Sequence, residues 1–162
     1  MLAYERAGRE LVARLKYRNA RTTVRWLAVE MAALCDPERV DVVTWVPTTP
    51  SRRQQRGFDQ AELLARAVAR RLRRRCAVLL VRGRGPARTG RARHERRSGP
   101  LIVARGPAPS RVLLVDDVIT TGTTVSVAAR ALRAAGASHV SVLAAARTPL
   151  KRARIGAETC EE

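Results

Sequence analysis

The sequence predicts an α/β fold in which helices flank a mostly parallel sheet of about five strands. Short apolar runs such as residues 78–81 and 112–115 have the length of buried strands. Segments with apolar residues at helical spacing separate these runs, and such alternation is typical of a parallel sheet. A chain of 162 residues suits one core, so we predict a single domain over residues 1–162.

The first half of the chain alternates predicted helices and strands. Apolar residues recur at helical spacing, and Asp59 is a suitable N-cap for the third helix. The predicted helices cover residues 4–17, 22–34 and 60 to about 74. The predicted strands cover residues 40–46 and 77–81. The polar, basic stretch 48–57 is predicted to be a loop, and Trp26 and Trp45 are expected in the core.

The second half begins with residues 82–99, which are rich in Arg and Gly and contain no large apolar side chain. Such a segment is expected to be a mobile loop, and long loops in compact domains are often lids. Further strands are predicted over residues 101–104, 112–115 and 140–146. A helix is predicted over residues 123–135, ended by Gly136. The α/β core thus covers residues 40–147, between a helical N-terminal segment (1–35) and a tail (148–162).

The positive charge is concentrated in the middle of the chain. The protein carries 32 basic and 14 acidic residues, a net charge of +18. Residues 51–105 alone hold 17 basic and 3 acidic residues, a net charge of +14. Such a patch favours a polyanion, either a phosphorylated small molecule or a nucleic acid.

Other features of the composition exclude several classes of protein. No stretch approaches the ~20 apolar residues that a membrane helix needs, so we expect no membrane partner. The N-terminus is charged where a signal peptide has its apolar core. The three cysteines, Cys35, Cys76 and Cys160, are far apart. This favours a cytoplasmic protein without a disulfide framework.

The segment 112–125 (VLLVDDVITTGTTV) combines features of a phosphate-binding turn. A strand ends in two carboxylates, Asp116 and Asp117, at the edge of a sheet where α/β proteins bind ligands. A turn that opens a helix follows, and it consists of Thr120, Thr121, Gly122, Thr123 and Thr124. Hydroxyls and free N–H groups at a helix start suit a phosphate, whereas the carboxylates would serve sugar hydroxyls or Mg²⁺.

This order of residues resembles the 5-phosphoribosyl-1-diphosphate (PRPP) signature of type I phosphoribosyltransferases. The resemblance implies that the Thr-rich turn binds the 5′-phosphate and that Asp116 and Asp117 are catalytic, holding the ribose hydroxyls directly or through Mg²⁺. It also implies displacement of pyrophosphate from PRPP by a nitrogen acceptor and a dimer as a possible assembly. The acceptor site would be formed by residues 1–35 and the tail (148–162).

The order of further motifs resembles the ComF/GntX family. The matching residues are Lys16-Tyr17, Pro47, Arg52, the run Arg56-Gly57-Phe58-Asp59-Gln60, and Glu95-Arg96. Family members usually begin with a cysteine-rich zinc module, which this sequence does not contain. Thr120 stands where 6-oxopurine enzymes have an acid, and a threonine is no general base at pH 7, which argues against hypoxanthine–guanine salvage.

The ComF/GntX resemblance implies roles for two basic segments. The loop after the first strand would bind pyrophosphate through Arg52, Arg53, Arg56 and Gly57. The mobile loop would close over the site with Arg88, Arg91, Arg93 and Arg96.

Two functions stay open from the sequence. One is an Mg²⁺-dependent phosphoribosyltransferase with an unidentified acceptor. The other is a non-catalytic protein of the same fold whose Arg-rich central segment binds single-stranded DNA or a competence partner of the helicase type. The carboxylate pair favours the first, because two carboxylates repel a nucleic-acid backbone.

Overall fold

The computed structural model describes residues 20–83 and 101–148. Its helices are α1 (Ala20–Ala33), α2 (Pro50–Arg56), α3 (Gln60–Leu72) and α4 (Thr123–Ala134). Its strands are β1 (Val42–Trp45), β2 (Arg75–Cys76), β3 (Leu80–Arg82), β4 (Ile102–Ala104), β5 (Arg111–Ile119) and β6 (His139–Arg147). The predicted helix over 4–17, residues 84–99 of the Arg-rich segment and the tail beyond 148 lie outside the described residues. The single-domain organisation stays a prediction.

The main sheet confirms the predicted α/β fold. Its four strands are all parallel, in the order β2-β1-β5-β6. The predicted strand over 101–104 does not join this sheet, because β4 pairs antiparallel with β3 in a separate two-stranded ribbon. The parallel sheet within the described residues therefore has four strands rather than about five.

Two apolar layers cover the two faces of the sheet. On one face α1 and α3 pack against side chains of β1, β5 and β6, with Leu27 and Leu64 almost fully buried. On the other face α4 and the β3–β4 ribbon pack against β1 and β5, with Leu114 and Leu132 fully enclosed. Because helices cover both faces, the strands can be apolar on both sides. None of the helices within the described residues is long and apolar enough to cross a membrane.

The predicted strand over 77–81 is wrong in its position. Pairing with β1 begins earlier, at Arg75, and extends only to the hydrogen bond from Ala77 N to Val43 O, 3.0 Å. The chain then leaves the sheet at Val78, which is exposed, and enters β3 of the ribbon. An apolar run of this kind predicts that a strand is present, but it does not predict which other strand it pairs with.

The predicted loop over 48–57 contains the short helix α2. Thr49 caps this helix by accepting a hydrogen bond from the backbone N–H of Arg52 at 3.3 Å, and Pro50 occupies its first turn. Gly57 ends it with a φ of 75°, in the left-handed region. Thr49, Pro50 and Gly57 are suitable residues for the two ends of a helix. The residues between them are polar, so no apolar periodicity indicated the helix.

The two tryptophans differ in burial. Trp45 lies in the core as expected. The prediction for Trp26 is wrong, because 49% of this residue is exposed on α1. The core-facing residues of α1 are Val24, Leu27, Ala28 and Met31, and position 26 falls on the opposite side of the helix.

Candidate functional site

The candidate site lies where the direction of chain winding changes in the sheet. From β1 the chain crosses through α3 to β2 on one side, and from β5 it crosses through α4 to β6 on the other. A crevice forms beyond the carboxyl ends of strands at such a point. Here it is a cavity of about 340 Å³. Its lining residues are Val46, Pro47, Thr48, Arg52, Phe58, Asp59, Gln60, Ala61, Arg82, Asp116, Asp117, Val118, Thr120 and Thr124.

The carboxylate pair lies inside β5 rather than after it, because pairing with β6 continues to Ile119. Asp116 is 9% exposed, and its Oδ1 accepts a hydrogen bond from Asp117 N at 2.9 Å. Asp117 is half-buried, and its Oδ1 accepts from Val118 N at 2.9 Å. Burial, followed by the negative charge of Asp117, raises the pKa of Asp116 to about 8. The pair therefore holds a proton near neutral pH in the absence of a ligand, and a bound cation would favour its fully ionised form. In either form its oxygen atoms suit a cation or sugar hydroxyls.

The Thr-rich turn connects β5 to α4. Gly122 adopts a φ of 77°, which only glycine adopts without strain, and it turns the chain into the helix. The hydroxyls of Thr121 and Thr123 lie 3.0 Å apart, and Thr123 N donates to Thr121 Oγ1 at 3.4 Å. Thr120 and Thr124 line the cavity. The start of α4 thus faces the same space as the carboxylates, so the structure brings these two sequence-predicted features together.

Of the residues predicted to bind pyrophosphate, only some lie at the cavity. Arg52 lines it, whereas the Arg53 guanidinium is directed to Glu62 at 3.8 Å. The side chain of Arg56 is not among those described. Gly57 lies outside the lining and acts through the backbone, since it ends α2 before the chain turns into α3.

Two charged residues of the cavity, Asp59 and Arg82, were not predicted as site residues. Asp59 was expected only to cap a helix, and it does so while also lining the cavity at 7% exposure. Burial raises the pKa of Asp59. Arg82 ends β3, and burial and then the charge of Arg52 lower its pKa. The sequence predicts Arg82 at the start of the mobile loop 82–99, which is wrong for this residue because it pairs with Ile102 in the ribbon.

The donor set fits a magnesium ion that is shared with a substrate. No cluster of three or more His, Cys, Asp or Glu side chains suited to a metal occurs among residues 20–83 and 101–148. Mg²⁺ is commonly bound through one or two carboxylates, with waters and substrate phosphate oxygens completing its shell. Asp116 and Asp117 provide such a pair on the cavity wall. The residues present therefore suit Mg²⁺ that arrives with a phosphorylated ligand.

A parallel α/β sheet with a carboxylate pair and a Thr-rich turn at its switch point defines the class of type I phosphoribosyltransferase folds. The sequence model of the phosphoribosyl transferase domain family matches residues 59–161 of this chain. The chain belongs to this family, and within it the chain is ComF-like.

Individual relatives agree with this assignment. The chain is 31% identical over 152 residues to Competence protein F of Haemophilus influenzae, a match that covers 85% of this chain and 66% of that protein. It therefore spans slightly less than two thirds of this relative's length.

Solved structures show the same fold. Purine phosphoribosyltransferase from Pyrococcus horikoshii Ot3 matches with a TM-score of 0.51 and 18% identity, over 75% of this chain and 70% of that one. Glutamine PRPP amidotransferase from B. subtilis matches with a TM-score of 0.53 and 26% identity, over 75% of this chain and 26% of that one.

Proposed function

We propose that the cavity binds PRPP with Mg²⁺ and transfers its phosphoribose to a nitrogen acceptor, releasing pyrophosphate. The observation that carries this proposal is the distribution of charge around one cavity. Asp116, Asp117 and the Thr-rich turn lie on the β5 side, whereas Arg52 lies on the β1 side and Arg82 at the end of β3. PRPP has the matching distribution, with a phosphate and ribose hydroxyls at one end and a diphosphate at the other.

The start of α4 is the proposed site for the 5′-phosphate. Backbone N–H groups in the first turn of a helix have no partner within the helix, and its dipole favours an anion. Thr120 and Thr124 add hydroxyl groups at the cavity. This end of the site binds through hydrogen bonds in a fixed geometry and anchors the ribose.

The carboxylates are proposed to act at the ribose. Asp116 and Asp117 would accept hydrogen bonds from its hydroxyls or hold Mg²⁺, and their negative charge would stabilise positive charge that develops on the ring as the bond to pyrophosphate breaks. When bound, Mg²⁺ would neutralise charge on the diphosphate leaving group.

The guanidinium groups are proposed to bind the leaving group. Arg52 and Arg82 both line the cavity, and burial and then the positive charge of Arg52 lower the pKa of Arg82. Two like charges on one wall repel unless an anion lies between them, and a guanidinium can bind phosphate oxygens with two N–H groups at once. A diphosphate would satisfy both residues.

The proposal is tested by calorimetric titration of PRPP, with and without Mg²⁺, into the wild-type protein and an Asp116→Asn/Asp117→Asn double variant. The double variant keeps the size of both side chains and removes both ionisable groups. We expect saturable Mg²⁺-dependent binding to the wild-type protein and a loss of at least about tenfold in affinity in the variant, since hydrogen bonds to charged groups are strong.

Asp36→Asn is the matched control, because Asp36 is an exposed aspartate that is not part of the cavity lining. It should bind PRPP like the wild-type protein. Release of pyrophosphate on addition of nitrogenous acceptors would then identify the second substrate. A folded wild-type protein that binds no PRPP contradicts the proposed function.

A second candidate function is binding of single-stranded DNA. One relative is named Competence protein F, and the described residues contain a basic groove that supports this candidate. The groove has a volume of about 690 Å³ and shares no lining residue with the first cavity. It is lined by Val24, Arg25, Leu63, Arg66, Ala69, Arg70, Arg74 and Cys76. Four guanidinium groups around an apolar floor suit a phosphate backbone.

A further inference from the structure

Both polar atoms of the peptide group between Pro47 and Thr48 are held by charged side chains. Arg82 donates from Nε to the carbonyl oxygen of Pro47 at 2.9 Å. Asp59 accepts a hydrogen bond at Oδ2 from the backbone N–H of Thr48 at 3.1 Å. Because a peptide group is planar, fixing its C=O and its N–H fixes the orientation of the whole group. This segment, directly after β1, therefore has one defined conformation.

The second oxygen of Asp59 connects this peptide to α3. Asp59 Oδ1 accepts hydrogen bonds from Ala61 N at 3.1 Å and Glu62 N at 3.4 Å, in the first turn of the helix. One buried carboxylate thus joins the end of β1 to the start of α3. A helix cap needs only one of these oxygens. The bond to Thr48 is an additional function of the side chain.

The orientation of this peptide determines where α2 begins. Thr49 follows directly and caps α2 through the backbone N–H of Arg52. Arg52 in turn lines the cavity. A change in the Pro47–Thr48 peptide would therefore move the N-terminus of α2 and the guanidinium that it carries.

We propose that Asp59 and Arg82 are positioning residues that hold the Pro47–Thr48 peptide so that residues 48–52 form a preorganised site for the pyrophosphate group. Preorganised donors bind an anion without the cost of ordering a loop. This inference rests on the proposed function, and it assigns a role to the aspartate of the Arg56–Gln60 motif.

The decisive variant is Asp59→Ser. Serine is a good helix N-cap, so α3 keeps its cap, but the shorter side chain cannot also reach Thr48 N. Titration with Mg²⁺–pyrophosphate and, separately, with ribose 5-phosphate distinguishes the two ends of the cavity. We expect the affinity for pyrophosphate to fall about tenfold, as for loss of a hydrogen bond to a charged group, and the affinity for ribose 5-phosphate to stay unchanged.

Amide hydrogen exchange at Thr48 reports on the contact itself, independently of any ligand. In Asp59→Ser this amide should exchange at least about tenfold faster, while the amides of α3 stay protected. Arg82→Lys separates charge from position, because it keeps a positive charge and changes the donor to Pro47. Because Arg82 also lines the proposed pyrophosphate site, its positioning role is measured by amide exchange rather than by affinity. Exchange of the Thr48 amide at least about tenfold faster in Arg82→Lys supports the positioning role, and wild-type exchange contradicts it.

Asp36→Ser is the matched control, because Asp36 caps the short 3₁₀ turn over residues 37–39 through Glu38 N at 3.0 Å and does not line the cavity. It should bind both ligands like the wild-type protein. Wild-type pyrophosphate affinity in Asp59→Ser, or equal losses for both ligands, would overturn the positioning role. A wild-type protein that binds neither ligand would overturn the proposed function, and Thr48 exchange would still decide whether Asp59 fixes the peptide.

Discussion

Asp116 carries its carboxylate into the cavity wall beside a second carboxylate, at 9% exposure. Ionisation there is opposed by burial and by Asp117, which is why the pKa of Asp116 is raised to about 8. In the unfolded chain the same group has a pKa near 3.8. Between these values the folded protein holds more protons than the unfolded chain, so its free energy of unfolding falls as pH rises. The site is thus maintained at a cost in stability.

Asp116→Asn should therefore be more stable than the wild-type protein without ligand. The amide does not ionise, and its oxygen can still accept the hydrogen bond from Asp117 N. We expect the gain in free energy of unfolding to grow by up to about 1.4 kcal/mol per pH unit between pH about 4 and pH about 8. Urea unfolding at several pH values measures it.

The control for this experiment is Asp36→Asn. Its free energy of unfolding should show no comparable gain over that of the wild-type protein as the pH rises. A variant at position 116 that is less stable than the wild-type protein at every pH would contradict the expected cost of burial.

At the scale of elements, α2 and the turn that follows it determine where the anion-binding wall lies. The helix has seven residues, too few to be stable alone, and its boundaries are set by Thr49 and Gly57. The turn at Gly57 lets Asp59 reach both the start of α3 and Thr48. Small changes in this turn should therefore affect both stability and binding.

Gly57→Ala tests the turn. The glycine has a φ of 75°, and no atom lies within 4 Å of the position that the alanine methyl group would occupy, so the cost is backbone strain alone. We expect a loss of about 1–2 kcal/mol in free energy of unfolding and weaker pyrophosphate binding. Thermal unfolding and calorimetry measure the two effects.

Gly106→Ala is the matched control, because its methyl group would also meet no atom within 4 Å and its φ lies outside the left-handed region. It should be as stable as the wild-type protein or slightly more stable. Equal stability of the two variants would contradict the role of strain at Gly57.

At the scale of the whole molecule, the chain has a net charge of +18, and its described residues include two distinct surfaces lined by Arg. The cavity combines Arg52 and Arg82 with three acidic side chains, so it offers groups of both signs to a small ligand. The groove between α1 and α3 is lined by four Arg and no acid. Within it Arg66 and Arg74 form ion pairs with Glu62 and Glu38.

Arg25→Gln/Arg70→Gln tests the groove for single-stranded DNA. These two positions are chosen so that the ion pairs of Arg66 and Arg74 remain. If both residues contact phosphates, the slope of log K against log salt should decrease in magnitude by about 1.4. Fluorescence anisotropy with an oligonucleotide measures it. PRPP affinity is the internal control and should not change; absence of salt-dependent binding to the wild-type protein contradicts the second candidate.

Sequence patterns predicted the β5 side of the site better than the β1 side. Asp116, Asp117 and the Thr-rich turn are contiguous, so a strand followed by a helix is sufficient to bring them together. Arg82 and Pro47 are 35 positions apart, and their contact depends on how the β3–β4 ribbon packs. No local pattern encodes that packing. For the same reason residues 101–104 were expected in the parallel sheet but pair with β3 in the ribbon instead.

The register of β1 against β5 has a consequence for how the protein folds. Val42 pairs with Val112 and Trp45 with Val115, so the two walls of the cavity meet only when some seventy intervening residues have been looped out. Contacts so distant in sequence form slowly, and nothing local can substitute for them. Ligand affinity should therefore appear all at once during refolding, at the step that closes the central strand pair. Ligand binding during refolding would therefore indicate that β1 and β5 have paired, and not only that the helices and strands have formed.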